Sequence, residues 1–140
     1  MLEIVLVLNV AWFAAGFHLF ALRGRVFAKI VVAREDRETP VLQTLIMSGK
    51  FLGGFNLAFA ALNVLLLVNR SVFDQGMHWA LLLFVIAVAH GTQFAYNVPV
   101  FLQNRRGGGV WQVRGLMLFI FITDFSLTAL NGAFAAFLYF

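Results

Sequence analysis

The sequence predicts an all-α polytopic membrane protein, a bundle of four transmembrane helices, on three observations. The 140 residues are 62% hydrophobic and only 11% charged, with a mean hydropathy of +0.91, which lies outside the range of soluble domains. Four stretches reach or approach the roughly 20 apolar residues needed to cross a hydrocarbon core. None of them alternates polar and apolar residues, although Phe alone occurs 17 times, so the period-two pattern of a membrane β-barrel is absent. Backbone groups in lipid must be satisfied within their own segment, which makes each stretch a helix.

In chain order the helices fall at about 4–22, 42–68, 77–102 and 115–140, within a single membrane domain. The first opens MLEIVLVLNV, with Glu3 but no positive n-region, so it is expected to stay in place rather than be cleaved as a signal peptide. The connection RVFAKIVVAREDRETP has Val26, Phe27, Ile30 and Val31 at helical spacing with Arg25, Lys29 and Arg34 nearby. That pattern suits a short interfacial helix over about 25–34, with an ordinary charged loop as the alternative. Thr39 and Pro40 suit entry to the second helix, Thr as a cap and Pro at the first helical position. NRSVFDQG (69–76) reads as a short turn and NRRGGG (104–109) as a flexible linker; the alternative for the latter is a glycine-rich anion nest, but no adjoining strand supports it. His78 and Trp79 at one end and Trp111 at the other fit interfacial belts.

Charge sets the orientation. Arg23, Arg25, Lys29, Arg34, Arg37, Lys50, Arg105, Arg106 and Arg114 lie on one side, and only Arg70 on the other. The positive-inside rule then places connections 23–41 and 103–114 in the cytoplasm and both termini on the opposite face. Because these basic residues border apolar segments, membrane lipids rather than nucleic acid are the expected partners of the +4 charge. The absence of cysteine removes disulfides, thiolate metal sites and Cys nucleophiles.

Polar side chains at membrane depth are costly and turn inward. At about 100° per residue, His90, Gln93, Tyr96 and Asn97 of the third helix fall within an arc of roughly 120°. Asp124, Thr128, Asn131 and Ala135 of the fourth fall within roughly 60°. The second helix presents Gly49, Gly53, Asn56, Ala60 and Asn63 on one face, a small-residue approach surface carrying two amides. The first helix adds Asn9 and Gly16 on one side and His18 on nearly the opposite one. Most of these amides read as interhelical hydrogen bonds. His90 and Asp124 lie at comparable depth, roughly 13 to 20 Å from their inner helix ends. They are expected to lock two helices together, to mark the polar end of a ligand site with Gln93, Tyr96, Asn97 and Thr128, or to serve a proton path.

Lys50, about two turns into its helix, can snorkel to the headgroups. Haem between His18 and His90 would need both rings at one depth, and the spacing sets His18 nearer the surface by about 6 Å, so the cofactor stays unknown. No HxxxH or ExxH spacing points to a metal, and no motif marks catalytic residues.

The segments GKFLGGFNLAFAAL (49–62) and WALLLFVIAVAHGTQF (79–94) resemble the small four-helix membrane proteins of the Erg28-like and DoxX-like type. The Erg28-like resemblance implies a non-enzymatic helper that tethers sterol-modifying enzymes, with a lipid-facing groove. Two functions follow. One is an accessory or scaffold subunit of a larger membrane complex, bound to other membrane protein subunits. The other is binding of a lipid, sterol, quinone or similar hydrophobic molecule inside the bundle, with His90 and Asp124 open to proton chemistry.

Overall fold

A computed structural model describes residues 1–73 and 75–140, and within them every regular element is helical. The principal helices are α1 (Leu2–Phe17), α2 (Gly24–Val31), α3 (Pro40–Val68), α4 (Gly76–Asn104) and α5 (Leu116–Tyr139). Four segments are long and apolar enough to cross a membrane: Leu2–Leu22, Pro40–Val68, Gly76–Asn104 and Leu116–Tyr139. The chain is an all-α integral membrane protein with four spans. Its contacts group into two compact units, Leu6–Leu65 and Leu66–Phe140 with Met1–Val5, where the sequence carries no internal boundary.

In the Leu6–Leu65 unit, α1 and α3 run antiparallel in a register that can be read contact by contact. Asn9 Nδ2 donates to Asn63 Oδ1 at 3.1 Å, Phe13 stacks on Phe59 with ring centroids 5.0 Å apart, and Gly16 faces the side chain of Asn56. The face expected of α3 is the one it buries: Gly49, Gly53, Asn56, Ala60 and Asn63. Beyond Phe17 the first span departs from a regular α-helix. Its last turn, His18–Leu22, is a π-turn closed by Arg23 N–H donating to His18 O at 2.8 Å. The Phe20 carbonyl there lies 3.5 Å from where a Gly49 Cβ would stand, and Ala21 lies against Gly53. The GxxxG face of α3 therefore receives backbone, which is what small residues permit.

The helix expected over about 25–34 is an α-helix over Gly24–Val31, and a 3-10 turn follows at Arg34–Asp36. Its buried edge is Gly24 and Ala28, while Val26, expected on the apolar face, is exposed. Arg37 is not a free surface cation. Its guanidinium donates to Lys29 O at 2.6 Å and Val32 O at 3.2 Å, which satisfies carbonyls at the C-terminal end of α2. Pro40 opens α3 as expected, and the Thr39 hydroxyl donates backward to Asp36 O at 2.7 Å.

In the other unit α4 and α5 are antiparallel, with Gly76 beside Leu138, Gly91 beside Thr128 and Phe101 stacked on Phe121. Pro99 has no N–H for the Ala95 carbonyl, yet α4 continues to Asn104. Glu3 pairs with Arg70. Trp79 is buried rather than lying in a surface belt; its Nε1 donates to Phe73 O at 2.9 Å and its ring meets Phe73 edge-on.

Two neighbouring glycines separate close approach from mere flexibility. A Cβ on Gly53 would stand 2.6 Å from Ala21 Cβ and 2.8 Å from Ala21 N, whereas one on Gly54 meets nothing within 4 Å. Gly53→Ala should therefore cost about 1–3 kcal/mol by overpacking. Gly54→Ala should be neutral or gain up to about 1 kcal/mol of helix propensity. Unfolding of the two variants in detergent micelles measures the difference; equal stability would contradict this packing.

Candidate intramembrane polar site

The polar site forms between the buried stripes of α4 and α5. Leu83, Ile86, Ala87 and His90 follow one another along the buried stripe of α4, and Asp124, Leu127, Asn131 and Ala135 along that of α5. His90 and Asp124 meet: Nδ1 and Oδ1 are 3.5 Å apart and both side chains are fully buried. Gly91, the next residue, makes the approach possible. A Cβ there would already lie 3.3 Å from Thr128 Cγ2, so Thr128 stands where a larger residue at 91 would go. The Thr128 hydroxyl donates to the Asp124 carbonyl at 2.6 Å.

The remaining members of the expected site divide. Asn97 is committed elsewhere: its Nδ2 donates to Gln93 O at 2.9 Å and its Oδ1 accepts from Trp111 Nε1 at 3.2 Å. Gln93 is half-buried. Tyr96, at the edge of the predicted arc, is 79% exposed and does not join the buried pair. Asn131 is buried about two turns beyond Asp124 along α5 and donates to Leu127 O at 2.8 Å. Asn56, Asn63, Asn97 and Asn131 each donate to the carbonyl four residues back. In Asn63 and Asn97 the amide oxygen accepts from another segment.

Between the polar pair and the 103–114 connection lies an aromatic cluster. Phe94 packs on Phe121 at 4.7 Å and on Phe125 at 5.1 Å, and Phe101 on Phe121 at 5.6 Å. The connection itself carries hydrogen bonds over much of its length. Asn104 Nδ2 donates to the Gly108 and Trp111 carbonyls, each at 2.9 Å, and its Oδ1 accepts from Val113 N–H at 2.6 Å. The N–H groups of Arg105, Arg106, Gly107 and Gly108 donate to carbonyls of the last turn of α4. These amides are committed to capping the helix, so they do not converge on an anion. Asn104 and Trp111 were missed as organisers because their partners are backbone carbonyls and an amide that no sequence period marks.

An open groove of about 430 Å³ lies along the α4–α5 seam, lined by Ala87, Gly91 and Ala95 of α4 and by Thr128 and Gly132 of α5. Gly132 and Phe84 also line a second groove of about 370 Å³ that extends toward Tyr139 and Phe140. The signal for this surface was present as two runs of small residues at four-residue spacing, Ala87–Gly91–Ala95 and Thr128–Gly132–Ala136. Among the described residues no three His, Asp or Glu side chains converge, and His18 is exposed on the π-turn.

No known protein family, characterised protein or solved structure matches this chain.

Breaking a buried pair by removing one partner is expensive, about 3–5 kcal/mol. His90→Gln and Asp124→Asn should each destabilise the protein, and the double variant should cost less than their sum by about 0.5–3 kcal/mol. A double-mutant cycle in micelles reads this directly, and strict additivity would show that the two side chains do not interact.

Proposed function

We propose that the protein is a non-enzymatic accessory or scaffold subunit of a larger membrane complex, in which the α4–α5 groove receives a helix of a partner membrane protein. The observation that carries this reading is the groove itself, an apolar depression floored by Gly91, Thr128 and Gly132 on the outer side of the His90–Asp124 pair. Helices associate in lipid by close van der Waals packing against small residues, and two facing runs of Ala, Gly and Thr supply such a surface. The polar groups of the interior support the same reading. Asn97 and Thr128 are engaged within the protein, and His90 faces Asp124, which suits a framework that holds helices in register. The tethering role implied by the resemblance at residues 49–62 and 79–94 agrees with it. On this reading the eight basic residues of the two longer connections lie in the cytoplasm, with Lys50 near the same face, and both termini on the other side.

A second reading keeps the groove and changes its occupant to a hydrophobic small molecule such as a lipid or sterol. The supporting observation is that the lining is almost wholly apolar, with Thr92 and Thr128 as its hydroxyls.

Gly132 separates groove function from folding, since a Cβ there meets nothing within 4 Å. Gly132→Leu should fill the groove without disturbing the chain, and Gly54→Leu, on an exposed face of α3, serves as the control. After gentle solubilisation from native membranes, wild type and Gly54→Leu should co-purify with a stoichiometric membrane protein that Gly132→Leu loses at least tenfold. A monodisperse single chain carrying a lipid that Gly132→Leu loses would replace the first reading with the second.

A further inference from the structure

We infer that α2 and its neighbours form a binding surface for the phosphate headgroups of anionic phospholipids. The helix is held against α3 along one edge. A Cβ on Gly24 would lie 3.4 Å from Ile46, the Phe27 ring lies 3.5 Å from the Cβ position of Gly49, and Phe20 meets Phe27 edge-on at 4.6 Å. Gly24 and Ala28 are buried by this contact. The flank of the helix beside that edge is thereby fixed in place, and it carries Arg25 and Lys29, about one helical turn apart and both exposed. Arg23 at the start of α2 and Lys50 on α3 are exposed as well.

Three features select the ligand. Among the described residues, Arg23, Arg25, Lys29 and Lys50 form no ion pair, so their charge is available. No carboxylate occurs between Glu3 and Glu35, whereas Arg37, next to the acidic residues of the loop, is folded onto the end of α2. The basic residues are also interleaved with exposed apolar ones: Leu22, Val26, Met47 and Phe51. A soluble anion would engage the cations alone and make no use of those apolar side chains, of which Leu22, Met47 and Phe51 belong to the membrane spans. A phospholipid satisfies both at once, phosphate against Arg25 and Lys29 and acyl chain beside Val26 and Phe51, in the manner of amphipathic interfacial helices. The juxtamembrane position of α2 between two spans puts these charges where an anionic leaflet attracts them.

The test uses the full chain in mixed micelles, with fluorescent phosphatidylglycerol and phosphatidylcholine as probes. Wild type should bind phosphatidylglycerol in preference to phosphatidylcholine. Arg25→Gln with Lys29→Gln should lower that preference about tenfold or more, given the attraction of each basic residue near an anionic surface. Arg105→Gln with Arg106→Gln, at the other connection, should leave it within about twofold. Both side chains of the test variant are exposed, and its unfolding midpoint, compared with wild type, reports whether the fold is intact. Equal preference in wild type and the α2 variant, an equal loss in the Arg105 and Arg106 variant, or displacement of the lipid by inorganic phosphate alone would each overturn the inference.

Discussion

Inside a bilayer there is no water to take up a hydrogen bond that the protein leaves unmade, and this constraint accounts for the pairing seen within each unit. Every polar side chain carried to depth raises the cost of an isolated helix, and a neighbouring helix lowers it. Asn9 with Asn63 does this between α1 and α3, and His90 with Asp124 between α4 and α5. The small residues around these pairs are the other half of the arrangement. Gly53 lets the backbone at Ala21 approach α3, and Gly91 lets Thr128 approach α4, so the polar groups can come within reach.

The asparagines show how one residue type meets this demand. An amide has two donors and an oxygen acceptor. In Asn56, Asn63, Asn97 and Asn131 the nitrogen is used within its own helix, on the carbonyl one turn back. That leaves the oxygen to recruit something else, the amide of Asn9 in one case and the indole of Trp111 in another. Each contact of this kind is worth only about 0.6 kcal/mol on average, so its value lies more in setting register than in adding stability. The register of α1 on α3, from Asn9 to Ala21, is consistent with that role.

How much of this was legible in the sequence depends on whether a contact obeys a period. The buried face of α3 follows the helical repeat of Gly49, Gly53, Asn56, Ala60 and Asn63, and it appeared as expected. The meeting of His90 and Asp124 needed only similar depth on helices joined by a short connection. Tyr96 sat at the margin of its arc, where a modest rotation of α4 decides between interior and lipid, and it turned outward. Trp79, Arg37 and Asn104 were out of reach for a different reason. Their partners are backbone carbonyls at Phe73, Lys29, Gly108 and Trp111, and no side-chain pattern announces a carbonyl. The inward edge of α2 was missed because Gly24 and Ala28 are too small to register as an apolar face, although they are the residues that α3 admits.

The central claim is that α4 and α5 meet at Gly91 and Thr128 and so bring His90 and Asp124 together. The natural chain has no cysteine, so paired substitutions report proximity in native membranes without background. Gly91→Cys combined with Thr128→Cys, whose positions fall near disulfide range, should cross-link rapidly on mild oxidation. Val85→Cys combined with Ser126→Cys, both on exposed positions, should not. Cross-linking of the two pairs at similar rates, or no disulfide between positions 91 and 128, would contradict the account.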